Sequence, residues 1–293
     1  MGRLLAPDDR DQLFRARQMQ TRRMGEAPKL RKHRIFLPAA PPFRWRDQGS
    51  RSSCTEHAAA NKLCGWPNPR PLASLPFAQH KLYERAQELD EWPGSETVAP
   101  FYEGSSGRAV CRAMRELGLI TEWWNAFTVD ELRRLILADT TDWATAGPVT
   151  MGINWYDSMF TTDAKGFVTI GARARVSGGH QICIIGANDN SETFYLINSW
   201  VTMRLFRMSY ATARRLLERE DGDAQFFVEV PLNPVRTMEN PMEGVLDFGM
   251  SARETPTLSG APMRGLRLGT PPEEVIRARE WLDATDRRIA WAV

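Results

Sequence analysis

No apolar run in this chain approaches 18 residues, so nothing in it reads as a membrane-spanning helix. Its opening, Met1-Gly2-Arg3-Leu4-Leu5-Ala6-Pro7-Asp8-Asp9, is too short and too soon charged for a secretion signal. Cysteine is scarce: Cys54, Cys64, Cys111 and Cys183 are irregularly spaced, and no two stand at metal-ligand separation. That excludes a disulfide framework and a zinc site, and no cofactor is expected. Repeats and low-complexity tracts are also lacking. Together these absences predict a cytoplasmic protein, or one packaged within a macromolecular assembly, with no membrane partner.

What charge there is lies unevenly. Through Arg34 the chain holds ten Lys/Arg against four Asp/Glu, a net of +6, which leaves −4 for the rest of a chain whose total is +2. Residues 1–36 are therefore a basic N-terminal extension, expected as a solvated arm able to dock an acidic partner, with nucleic acid the less favoured ligand. Residues 37–145 read mainly helical, with helices over 54–63, 76–89, 108–117 and 129–138. Residues 146–232 carry β-type runs at 149–154, 167–170, 181–186, 193–197, 205–208 and 226–230, interrupted by a helix over 210–220. From 233 a linker rich in Pro and Met leads to an amphipathic helix over 270–291. There Thr270, Pro271 and Glu273 form the start signal and Val275, Leu282 and Ile289 recur every seven residues, a face for the chain's own domain or for an assembly partner.

The helical half contains one chemically suggestive position. In Asp47-Gln48-Gly49-Ser50-Arg51-Ser52-Ser53-Cys54, Ser53 and Glu56 have the spacing of a reciprocal cap, which makes Cys54 the first helical residue. Free amides and the positive end of the helix dipole favour a thiolate there. A buried structural cysteine is the competing reading.

A thiolate that attacks amides needs an imidazole to take and return protons, and the chain has only His33, His57, His80 and His180. His33 lies in the basic extension, His57 three residues along the Cys54 helix, and His80 in a helix-like stretch. His180 follows Ser177-Gly178-Gly179 and opens the apolar run Gln181-Ile182-Cys183-Ile184-Ile185-Gly186, at the mouth of a buried strand. The turn Asn188-Asp189-Asn190-Ser191 returns the chain to a second strand ending in Asn198-Ser199-Trp200, so hairpin pairing carries Asn198 back toward His180.

These blocks, in this order, resemble the papain-like cysteine peptidases, in a divergent form of bacterial or phage type. His180 and Asn198 follow Cys54 by 126 and 144 residues, against roughly 130 to 150 in that family. The resemblance covers about residues 37–230. It implies an α+β, two-lobed fold, a helical lobe plus an antiparallel β-barrel-like lobe, with N- and C-terminal extensions. It also implies roles: Cys54 as nucleophile, His180 as acid and base, Asn198 as the amide orienting the imidazole. Gln48, with the Cys54 amide, would cradle the oxyanion, where each donor contributes about 3 to 4 kcal/mol. Trp200 would cover the Asn198–His180 contact, and Gly104 and Ser105 match the segment that pairs with a peptide or protein substrate.

The chain also departs from that pattern. Arg51 stands where relatives have a half-cystine, Ser52 where they have glycine, and Thr55 where they have an aromatic, while Val201-Thr202-Met203-Arg204 follows Trp200 in place of glycines. Trp123, Trp124 and Trp155 suit core packing better than subsites. Two rivals stand beside a peptidase: a cysteine amidase or acyltransferase acting on a non-protein amide, and a weakly active or inactive papain-like assembly component that binds partners through residues 1–36 or 270–291.

Overall fold

The computed structural model describes residues 9–36, 47–63, 77–91, 103–140, 142, 144–200 and 202–230, with the backbone alone at 77, 79 and 80. The expected helix over 270–291, the linker before it, Cys64 and the side chain of His80 lie outside the described residues.

A seven-stranded antiparallel sheet forms the centre. Its order is β2 (Ile120–Ala126), β7 (Asp223–Glu229), β3 (Val149–Tyr156), β4 (Val176–Asn188), β5 (Thr193–Ile197) and β6 (Leu205–Ser209), with β1 (His33–Ile35) paired to β4 beyond the end of β3. Side chains alternate along each strand, and here both faces are apolar. Ile182 and Ile184 of β4 and Phe194 and Leu196 of β5 enter one core, while Cys183, Ile185, Tyr195 and Ile197 enter the other. A sheet buried on both faces is a layer between helices. The barrel-like expectation is therefore corrected: the fold is α+β and two-lobed, and the described sheet is open, β2 and β6 being its two ends.

The second core is capped by α2 (Cys54–Leu63), α3 (Tyr83–Leu89) and α4 (Gly107–Glu116), and the first by α5 (Val129–Leu137) and α6 (Tyr210–Arg214). A π-helical turn, Phe77–Leu82, leads into α3, and a second, Arg215–Arg219, ends the expected 210–220 helix. The cap predicted at Thr128 forms, its hydroxyl accepting from the Glu131 amide at 3.2 Å. Residues 167–170 form no strand. Asp163 Oδ1 accepts from the amides of Lys165 and Phe167, both at 2.8 Å, so the run opens as a turn and keeps one bridge to Arg207. β2 falls inside the span read as helical.

The basic extension is not a solvated arm over its described part. A 3-10 helix (Asp9–Phe14), α1 (Ala16–Met24) and β1 lie against the sheet, with Ala16 and Gln20 buried. Its cations find acids of the later chain: Arg15 with Glu131 (3.0 Å), Arg31 with Asp139 (2.7 Å) and Arg23 with Glu122. Gln20 Nε2 donates to the carbonyls of Arg134 and Thr145, at 3.1 and 3.0 Å. Part of the extension's positive charge is thus met by acids of the later chain.

Candidate active site

All ten residues of α2 are buried, polar ones included. A helix enclosed on every side must satisfy its polar groups locally. Lys62 Nζ donates to the Phe227 carbonyl at 3.1 Å and pairs with Glu229 at 3.3 Å. His57 Nδ1 donates to the Ser53 carbonyl at 2.7 Å, and Ser53 Oγ lies 3.2 Å from the same nitrogen. Cys54 opens the helix as predicted, but the Ser53–Glu56 box is corrected: Ser53 turns to His57, and Glu56 accepts instead from the Ser105 hydroxyl. His57, held this way, does not serve Cys54.

His180 sits on β4 opposite Ile153 and is fully buried. Its Nε2 is 2.8 Å from Asn198 Oδ1, which also accepts from the Ser199 amide at 2.8 Å. With Nε2 donating to Asn198, Nδ1 is the ring's acceptor, and it has no hydrogen-bond partner among the described residues. Trp200 stacks on the imidazole with ring centres 4.2 Å apart and planes 14° off parallel, while Trp155 meets it edge-on at 4.9 Å. Phe160 stacks on the far side of Trp200 at 5.4 Å. This sandwich shields the His180–Asn198 contact from water. Burial pushes His180 down to about 3, with the Asn198 contact pulling weakly the other way, so the ring is neutral at physiological pH.

Gln48 joins the same network from the loop before α2. Its amide donates to the Ser199 carbonyl at 2.9 Å, and its Oε1 accepts from Ser199 Oγ at 2.6 Å. Its Nε2 donates to the Arg51 carbonyl at 2.9 Å. Ser199 thereby ties Gln48 to Asn198. Within the Asn-Ser-Trp block, nothing in the sequence marks Ser199 for this link.

On the other side of Cys54, residues 103–106 are held at each position. Glu103 accepts from Ser52 Oγ (2.9 Å), and Gly104 N–H donates to the Tyr83 hydroxyl (3.1 Å) while its carbonyl accepts from Gln87 (3.4 Å). The Ser105 carbonyl accepts from Thr55 Oγ1 (3.3 Å), and Ser106 donates its amide and hydroxyl to Asp90 at 2.7 and 2.9 Å. Gly104, at φ 106°, occupies backbone space that favours glycine. Ser52 and Thr55, which depart from the resembled pattern, are two of these anchors. Arg51, a third departure, lies 4.9 Å over the Tyr83 ring. Trp124 and Trp155 are wholly buried, in keeping with core packing.

The structure thus links Gln48 to Asn198 through Ser199 and Asn198 to His180 directly, stacks Trp200 on the His180 ring, and sets Ser105 against Thr55 and Glu56, which follow Cys54. Cys54 is buried where α2 packs on β4. Cys111 and Cys183 are buried too, and burial raises both thiols, Cys183 to about 12, so neither is a ready nucleophile. No group of residues suited to holding a metal occurs among those described.

No protein-family model and no curated protein sequence matches the chain. Among solved structures it is similar to xylellain, a cysteine protease from Xylella fastidiosa, at 17% identity and TM-score 0.55, covering 78% of this chain and 96% of that one. Procathepsin B S9 from Trypanosoma congolense (10% identity, TM-score 0.48, 78% and 83% covered) and digestive procathepsin L 3 of Tenebrio molitor (10%, 0.39, 73% and 79%) match more loosely. The likeness to xylellain shows that this chain has the papain-like fold.

Proposed function

We propose that this chain is a thiol-dependent peptidase using Cys54, His180 and Asn198, with Gln48 and the Cys54 amide as oxyanion donors. The observation that carries the reading is the covered His180–Asn198 bond: a buried imidazole with one nitrogen fixed and the other without a hydrogen-bond partner among the described residues. Such a ring is ready to take a proton but is costly to charge, unless an anion forms beside it. A thiolate at Cys54 is that anion, so thiol and imidazole ionise as a pair.

In this mechanism the Cys54 thiol gives its proton to His180 Nδ1 as sulfur attacks a peptide carbonyl carbon. The oxygen becomes negative and is met by the Gln48 side-chain amide and the Cys54 backbone amide. His180 then protonates the departing amine, leaving a thioester. Water, deprotonated by the same nitrogen, cleaves the thioester, and the proton returns to sulfur. The peptide or protein substrate lies along residues 103–106, where pairing with Gly104 takes the place of the Tyr83 hydroxyl on its amide. No described helix is long and apolar enough to cross a membrane, and the sparse free thiols support a cytoplasmic or packaged location.

The test is the rate of Cys54 alkylation by iodoacetamide against pH, in the natural chain and in His180→Ala. The natural chain is expected to react well below the ordinary thiol range of about 8.5, and the variant only as pH approaches it. Identical profiles would leave Cys54 a structural cysteine and end the peptidase reading.

A further inference from the structure

Thr55 and Glu56, the two residues that follow Cys54, both reach Ser105, one at its carbonyl and the other at its hydroxyl. Glu56 is fully buried, and one of its carboxyl oxygens, Oε2, has no hydrogen-bond partner among the described residues. A carboxylate there would be a buried charge with only two neutral donors, the Ser105 hydroxyl and its own backbone amide, an arrangement that favours the acid. Burial is the main cause that pushes Glu56 up to about 8. Of the charged groups acting on it, Asp90 beyond α3 adds to that and Arg51 before α2 opposes it, while Tyr83 of α3 is itself raised partly by Glu56.

We propose that Glu56 is a positioning residue for the reaction set out above: as a buried neutral acid on the first turn of the Cys54 helix, it fixes Ser105 and so sets the edge formed by Gly104 and Ser105 against the nucleophile. The inference rests on Cys54 being that nucleophile. Glu56 touches neither sulfur nor substrate; it acts through Ser105. The other anchors of residues 103–106 come from Ser52, Thr55, Tyr83, Gln87 and Asp90, so losing one shifts the edge without unfolding it. Glutamine keeps an acceptor for the Ser105 hydroxyl and carries no charge, which makes it the conservative replacement. Alanine leaves that hydroxyl unpaired.

Two alkylating probes separate this role from a general structural one. Iodoacetamide needs only a reactive Cys54, whereas an epoxysuccinyl dipeptide must also lie along residues 103–106. Glu56→Ala is expected to slow the epoxysuccinyl probe about tenfold, in line with one buried hydrogen bond lost, while changing the iodoacetamide rate less than about twofold. Glu56→Gln should stay close to the natural rate with both. Ser105→Ala, which keeps the backbone, should reproduce Glu56→Ala, and combining the two should add little. An unchanged epoxysuccinyl rate in Glu56→Ala, an equal loss with both probes, or a glutamine variant as slow as alanine would overturn the inference while Cys54 still reacts. If neither probe modifies Cys54 of the natural chain, the peptidase reading fails, and this inference with it.

Discussion

Burial acts in opposite senses on two titratable side chains, driving His180 down to about 3 and Glu56 up to about 8. Both are neutral near pH 7, but each couples folding to pH in its own window. His180 binds a proton more readily unfolded than folded, so its contribution is present above about 6.5 and is lost as pH falls toward 3. Glu56 holds its proton more tightly folded, so its contribution is complete below about 4.5 and is lost as pH rises through 8. Glutamine at 56 keeps the neutral form at every pH. Relative to the natural chain, Glu56→Gln should therefore gain stability between pH 5 and 8 by up to about 1.4 kcal/mol per pH unit. Urea unfolding of both proteins at several pH values measures this, and a difference independent of pH would mean that Glu56 is ionised in the fold. The His180–Asn198 contact was legible because each residue carries a separate sequence mark. Glu56 was legible only as a cap, since nothing in a run of ten residues tells a first-turn carboxylate facing water from one enclosed by neighbours distant in the chain.

Among the elements, those whose signal is local were read most closely. β5 runs over the expected 193–197, and α5 begins at its Thr128 cap. β2 was missed because Glu122 and Asn125 break its apolar pattern, and their partners come from far away: Arg23 pairs with Glu122, and the Asp11 carbonyl accepts from Asn125 Nδ2 at 3.3 Å. β1 was hidden for a related reason. Three residues in a basic stretch become a strand only because β4 offers an edge. That pairing is tight: a Cβ on Gly186 would lie 2.7 Å from the Arg34 carbonyl and 2.9 Å from the Ile35 side chain. Gly186→Ala should lift β1 and cost about 1 to 3 kcal/mol. The expected signs are a lower urea midpoint and faster proteolysis within residues 25–35; an unchanged cleavage rate there would show that β1 is not held by this contact.

At the scale of the whole molecule, the basic extension and the proposed site use different surfaces. α1 packs on α5 and β2, in the core opposite the one that α2 caps. A chain lacking residues 1–24 should consequently be less stable, by about 2 kcal/mol or more once Gln20 and the Arg15–Glu131 pair are lost. Its Cys54 should alkylate no faster than in the full chain. A marked rise in that rate would instead identify the segment as a brake on the site. Domain-level charge was legible as an imbalance, yet its destination was not, because composition records how many cations a segment holds and not which acids they meet.

Synthesis order gives the β1–β4 pairing a further meaning. His33 finds its partner at Asn188, more than half the chain later, and contacts so distant in sequence form slowly. While the ribosome is still making the intervening residues, this early strand has nowhere to dock, and it can complete the sheet only after most of the fold has emerged.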